Sequence, residues 1–208
     1  MEYKNQTENR AFQEMLLAAV KRLQNRFGED LAAKSGAVFH SSRNMLEVPS
    51  FHEVIEIQLP EFYINSDMDE WHYLTLLHYL DMADGTEGSH KLITFGNLKD
   101  GLIRGTKFDR TAEQKLEKLL QNKEPDKIQK ACTSLGAEFT ETKADLCAVF
   151  PVLPRYPVTL KIWFVDEEFP ASGKLFLQDH ADHYLSVEDA VTVGEILLQK
   201  LSEAFSSL

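Results

Sequence analysis

The segment at about residues 68–83 constrains the fold most, because the helix that it predicts has apolar side chains on nearly every side. Capping chemistry precedes this helix, where Asp67 stands three residues before Glu70, and Gly85 lies just past its expected end. The apolar residues are Trp71, Tyr73, Leu74, Leu76, Leu77, Tyr79, Leu80 and Met82. A helix without a polar face has to be covered by the rest of the protein. We therefore predict a buried central helix.

Helices are also predicted at both ends of the chain. Apolar residues at helical spacing predict an N-terminal helix over about residues 8–27, with Gly28 in the position of its C-cap. Near the other end, the segment Ser186–Asp189 has the pattern of a capping box and begins a C-terminal helix. A similar box at Thr111 predicts the start of a helix that ends near Asn122.

The strand predictions settle the fold class. Three short apolar or alternating runs, separated by proline and acidic turns, predict an antiparallel meander at Ala144–Phe150, Val158–Phe164 and Lys174–Leu177. Strands and helices do not alternate strictly, so an α+β fold suits the chain better than a doubly wound α/β sheet. We predict one α+β domain over residues 1–208, an antiparallel sheet with a buried central helix and flanking N- and C-terminal helices.

The charge balance is strongly acidic. The net charge of −11 results from 33 acidic and 22 basic residues, so a phosphate backbone would be repelled and nucleic acid is not an expected partner. The acidity is uneven, because residues 44–90 contain ten acids and no lysine or arginine. This segment is compatible with a cationic ligand or partner, and equally with an acidic face turned to water.

Cysteine content and hydropathy restrict cofactors and location. Cys132 and Cys147 are the chain's two cysteines, so one chain cannot supply the four thiolates of an iron–sulfur cluster. We expect both to be reduced and buried. The N-terminal segment has no apolar run typical of a signal peptide, and no stretch is long enough for a membrane span. We expect a cytoplasmic protein without a membrane partner.

Familiar catalytic signatures are missing from the sequence. It contains no G-x-G-x-x-G, no phosphate-binding P-loop and no G-x-S-x-G motif. His72 and His78 share the central helix but are about 240° apart at 100° per residue, so they cannot bind one metal ion together. His78 and Asp81 face each other at i, i+3, and we interpret them as a polar pair at the edge of the core.

The first candidate site is an acidic loop. Asp166, Glu167 and Glu168 follow a predicted strand, and adjacent carboxylates repel one another unless a cation lies near. Arg155 and Lys161, from the neighbouring strand and turn, are the nearest bases, so we predict an ion pair between one of them and this loop. The functional interpretation is a ligand-binding or acid–base loop, and the structural alternative is a solvated turn.

The second candidate site lies between the meander and the C-terminal helix. Asp179, His180, Asp182 and His183 place two imidazoles and two carboxylates within five residues. Such a group can supply three ligands to Zn²⁺ or another divalent ion. Aspartate and histidine are also frequent in turns, so a solvated loop is the structural alternative.

The order of three motifs resembles a known family. Leu76–Leu80, Asp166–Ala171 and Tyr184–Asp189 resemble segments of an uncharacterised family of anaerobic bacteria and archaea, domain of unknown function 3786, from about residue 10 to the end of the chain. Some members of that family are joined to an iron–sulfur module like that of corrinoid iron–sulfur proteins. This chain lacks the module, so the resemblance implies that a redox or corrinoid protein would be a separate partner. The family has no established catalytic residues.

Two functions therefore remain open. The first is a non-catalytic binding or accessory domain in anaerobic redox or corrinoid-linked metabolism. The second is a hydrolase or transferase that uses the acidic loop 166–168 or the cluster 179–183. Convergence of these groups in a deep pocket would favour the enzyme, and their dispersal would favour the binding protein.

Overall fold

The computed structural model describes residues 2–64 and 67–207, with side chains described from residue 10 onward. These ranges form helices α1 (Glu2–Leu23), α2 (Gly28–Ser35), α3 (Glu70–Met82), α4 (Gly101–Leu120), α5 (Pro125–Ser134) and α6 (Val187–Ser206). The strands are β1 (Val38–His40), β2 (Met45–Ser50), β3 (Glu53–Gln58), β4 (Tyr63–Ile64), β5 (Leu92–Ile93), β6 (Glu138–Phe139), β7 (Leu146–Leu153), β8 (Tyr156–Trp163) and β9 (Ser172–Gln178). The α+β class is confirmed.

The strands form two antiparallel sheets, where the sequence predicted one. The first sheet has the order β1-β2-β3-β4, and the second has the order β5-β9-β8-β7-β6. The predicted meander is confirmed as β7, β8 and β9, which pair in sequence order within the second sheet. Strands β1 to β4 also form a meander, in which each strand pairs with the next one along the chain. The turns between them are short, as in antiparallel hairpins.

Helix α3 is buried as its composition requires. Leu76, Leu77 and Leu80 are completely inaccessible to solvent. Helices α1, α2 and α6 pack around α3. Its N-cap is Asp69 and not the predicted Asp67, since Asp69 Oδ1 accepts hydrogen bonds from the backbone amides of Trp71 and His72, each at 3.0 Å. Tyr79 Oη, also buried, accepts a hydrogen bond from the backbone amide after Pro154 at 3.0 Å and so ties α3 to the β7–β8 turn.

Three predicted helix boundaries can be compared with the structure. The boundary at Ser186 is correct, and those at Thr111 and Gly28 are wrong. Ser186 is the N-cap of α6, as predicted, and its hydroxyl accepts from the amide of Asp189 at 3.2 Å. Thr111, by contrast, lies within α4 and donates its hydroxyl to a backbone carbonyl one turn back. Gly28 does not end α1 but begins α2, where a Cβ atom would come within 2.3 Å of the Phe39 ring.

Close packing of α4 against α6 completes the core beside α3. Gly194 of α6 faces Phe108 of α4, and a Cβ atom at this glycine would lie 2.3 Å from the phenylalanine ring. The two helices therefore approach each other more closely than larger side chains would permit.

Removal of a core side chain from α3 should test the central position of this helix. Leu77→Ala should lower the free energy of unfolding by about 2–5 kcal/mol, because the neighbouring helices cannot close the cavity completely. Leu102→Ala is the matched control, since Leu102 is 79% exposed on α4, and should change stability by less than about 0.5 kcal/mol. Chemical denaturation of both variants checks this, and equal midpoints would contradict the buried position of α3.

Candidate functional site

A groove of about 550 Å³ opens between α1, α3, α4 and the first half of α6. The lining includes the apolar side chains of Met15, Trp71, Leu74 and Ile196. It also includes polar and charged side chains from α3, α4 and α6. The volume and mixed lining of the groove are typical of small-molecule sites.

Among the polar lining residues, His78 forms a hydrogen-bonded group with Asp189 and Ser186. The Nδ1 atom of His78 lies 2.7 Å from Oδ1 of Asp189, and the Ser186 hydroxyl donates to Oδ2 of the same carboxylate at 2.7 Å. A carboxylate only accepts hydrogen bonds, so in the neutral imidazole Nδ1 carries the proton and Nε2 holds a lone pair. Within the described part of the chain Nε2 has no hydrogen-bond partner, and the side chain is 21% exposed. The groove thus contains an oriented imidazole acceptor.

Helix α6 supplies this arrangement through its first turn. Ser186 caps the helix and at the same time holds Asp189, which in turn holds His78 from α3. Arg104 of α4 pairs with Glu188 at 2.9 Å on the same rim. The helix start therefore joins three helices around one end of the groove.

A smaller space of about 260 Å³ adjoins the groove between α3 and α6, where the two share Asp69, Ile196 and Gln199. His72 lines it and is 6% exposed. Its Nε2 lies 2.9 Å from Ser50 Oγ, and that hydroxyl donates its proton to a backbone carbonyl at 2.7 Å. Nε2 must therefore be the donor to Ser50, which leaves Nδ1 as an acceptor. Burial, helped by the charge of Lys200, lowers the pKa of His72 to about 4.

The acidic loop does not form the predicted ion pair. Asp166 accepts hydrogen bonds from two backbone amides of its own turn, at 2.8 and 2.7 Å, which lowers its pKa, and Glu167 and Glu168 are exposed. Lys161 lies over an aromatic ring, with 5.3 Å between Nζ and the ring centroid. Arg155 points its guanidinium at two backbone carbonyls, each 3.5 Å away. The ion-pair prediction was wrong, because these two bases contact an aromatic ring and backbone carbonyls instead of the loop.

The 179–183 cluster is divided among separate partners. Asp179 accepts hydrogen bonds from the amide and hydroxyl of Ser89, and these lower its pKa. His183 Nδ1 lies 2.8 Å from Oδ2 of Asp84, which like Ser89 belongs to the segment after α3. His180 is buried and Asp182 is half-buried. Among the residues that the structure describes, no three His, Cys, Asp or Glu side chains are grouped to hold a metal ion. The cluster's contacts instead fasten the segment after α3 to the end of β9.

Three further expectations can be compared with the structure. Asp81 does not pair with His78, because Arg22 reaches its carboxylate at 2.6 Å from α1. Both cysteines are buried, as predicted, and burial raises the pKa of Cys132 to about 12. In the described ranges no helix has the length and apolarity that a membrane span requires.

The groove and the two sheets define an α+β protein with a ligand-sized cleft between its helices. The chain belongs to the family described as a domain of unknown function (DUF3786), whose sequence profile matches residues 28–200. The family predicted from the sequence is thereby confirmed, and the matched range includes His78 and Asp189. No curated protein and no solved structure gives a significant match.

The lowered pKa of His72 predicts a specific loss of stability in mild acid. Between pH 6.5 and about 4 the unfolded imidazole binds a proton and the folded one does not, so the free energy of unfolding falls as the pH falls. The loss attributable to His72 should be about 2–3 kcal/mol between pH 7 and pH 4.5 and be absent at neutral pH.

Denaturation curves measured from pH 7 to 4.5 should separate this contribution from others. His72→Gln keeps a side-chain donor for Ser50 without a titrating ring, so its stability should fall less steeply than that of the parent. His52→Gln, a change of an exposed histidine, should leave the parent slope intact. Identical slopes in the parent and in His72→Gln would show that His72 is not held neutral by burial.

Proposed function

We propose that this protein is a non-catalytic binding or accessory domain that holds a small ligand in the groove, with His78 as the polar anchor. The observation that carries the proposal is the juxtaposition of apolar lining residues with the imidazole of His78, whose ring is fixed by Asp189 and whose Nε2 is free to accept a hydrogen bond. Small-molecule sites combine apolar surface with a few oriented polar groups in this way. Because the carboxylate fixes the ring in place, the ligand does not have to order it on binding.

The dispersal of the other candidate groups supports a binding function over the hydrolase or transferase predicted at the acidic loop or the 179–183 cluster. Asp166 caps its own turn, Lys161 lies over an aromatic ring, and Asp179 holds a loop through Ser89. None of these side chains lines the groove around His78. An active site needs its acid, base and binding groups within reach of one substrate.

An acid–base enzyme is a second candidate, and it uses the same pair of residues. An imidazole that donates Nδ1–H to a carboxylate presents Nε2 as a proton acceptor, which is the arrangement of a general base. Such an enzyme would convert the ligand that the binding protein only holds. Turnover of a bound ligand, abolished by His78→Gln, would support the enzyme.

The cellular setting is proposed from the family resemblance. It suggests a cytoplasmic accessory protein of anaerobes that works with a redox or corrinoid protein. The two cysteines are buried, so any iron–sulfur or corrinoid group would belong to the partner. Native mass spectrometry after anaerobic purification tests this: a retained corrinoid or redox protein supports the setting, and a chain that is always recovered alone contradicts it.

The binding function is tested by a fragment screen with ligand-observed NMR. Fragments that bind the parent in the groove should bind His78→Phe at least about tenfold more weakly, equivalent to about 1.4 kcal/mol, because the phenyl ring offers no acceptor in place of Nε2. His52→Phe is the matched control and should bind like the parent. Thermal melting of each variant checks that the fold is intact.

Two results would contradict the proposal. One is a folded parent that binds no fragment at millimolar concentration. The other is a set of fragments whose affinities are the same for the parent and for folded His78→Phe.

A further inference from the structure

We propose that the ligand of the groove is an organic cation, a protonated amine attached to an apolar group. This inference rests on the proposed function, since it concerns the same groove. Four features of the described residues lead to it: the proton positions on two imidazoles, the charges of the lining, an exposed and fixed tryptophan, and the exclusion of other cations.

In its neutral form each histidine of α3 has one nitrogen that is free to accept a hydrogen bond. His78 donates through Nδ1 to Asp189, and His72 donates through Nε2 to Ser50, whose own proton goes to a backbone carbonyl. The remaining nitrogen of each ring carries a lone pair. Each ring also lines one of the two adjoining spaces. A ligand that satisfies these atoms must bring N–H or O–H donors.

The charges of the lining favour a positive donor. Four carboxylates and the single guanidinium of Arg104 line the groove. Glu188 and Arg104 pair with each other at 2.9 Å, so the excess negative charge is that of Asp69, Asp189 and Glu195.

The lining of the adjoining space is also negatively charged. Glu53, Asp67, Asp69 and Glu203 line it, and Lys200, its one base, lies over the Phe51 ring with 5.3 Å between Nζ and the centroid. The acidic segment 44–90 noted in the sequence supplies α3 and three of these four carboxylates.

Trp71 supplies the apolar contact for such a ligand. Its side chain is 49% exposed at the groove, and the Phe12 ring meets it edge to face at 5.1 Å between centroids. The indole is thus held in place while much of it remains open. Cations bind preferentially over the faces of aromatic rings, and most strongly over tryptophan. Met15 adds further apolar surface to the lining.

The geometry argues against a metal ion as the cation. Within residues 2–64 and 67–207 no three metal-type side chains are grouped as ligands. The acceptors are instead spread along a groove of about 550 Å³, a space suited to an organic molecule. An ammonium can use the imidazole and a carboxylate as acceptors while its apolar group lies against Trp71.

The test compares three probes that share a phenylethyl-sized apolar group and differ in charge: 2-phenylethylammonium, 2-phenylethanol and 3-phenylpropionate. Dissociation constants are measured by NMR titration of the full chain at low salt. The ammonium should bind at least about tenfold more tightly than the alcohol, and the carboxylate most weakly. This advantage should shrink at high salt, because the carboxylates of an open groove are screened.

Two substitutions assign the effect to the groove. Glu195→Gln removes a lining carboxylate, and Trp71→Leu removes the aromatic face. Each substitution should therefore lower the affinity for the ammonium several-fold. Glu195→Gln should leave the affinity of the alcohol unchanged. Glu138→Gln, on the exposed strand β6, is the matched control and should change neither affinity.

The outcomes separate this inference from the proposed function. If the alcohol or the carboxylate binds as tightly as the ammonium and still depends on His78, the cation inference is wrong and the binding function stands. If none of the three probes binds while fragments from the broader screen do, the cation inference is again wrong. If no compound binds in either experiment, both proposals are wrong.

Discussion

Helix α3 has no polar face to turn toward water, so the surrounding elements lie where they can cover it. Helices α1, α2 and α6 pack against it, and its central leucines are fully buried. Burial of apolar surface stabilises this arrangement, at roughly 25 cal/mol per Å² removed from water. Two histidines of α3 are withdrawn from water to different degrees, His72 buried and His78 half-buried, and such polar groups require partners. His72 finds Ser50, and His78 finds Asp189.

The candidate site follows from this requirement. A histidine at the margin of a buried helix is held by a carboxylate from the capping turn of α6, and its ring lines the space between the helices. The same capping turn that starts α6 therefore also orients the imidazole. Asp189 takes part both in the first turn of α6 and in the candidate site, so its substitution would affect both.

The sequence predicted those features that depend on local chemistry. The apolar helix at 68–83, the Ser186 cap and the β7–β8–β9 meander could be read from composition and spacing. The groove could not, because His78 and Asp189 are 111 residues apart and nothing local links them. Their capping box and helical positions were visible in the sequence, but their contact depends on how α3 and α6 pack. The acidic loop failed as a site for a related reason, since backbone amides of its own turn stabilise Asp166 without any distant base.

The tautomer of His78 tests the central claim most directly. Long-range ¹H–¹⁵N NMR of the folded protein, at a pH where the ring is neutral, distinguishes a protonated Nδ1 from a protonated Nε2. The structure predicts that His78 carries its proton on Nδ1, that Asp189→Ala abolishes this preference, and that a ligand in the groove shifts the Nε2 resonance. A ring protonated at Nε2 in the parent would contradict the account, because the groove would then present a donor where an acceptor is required.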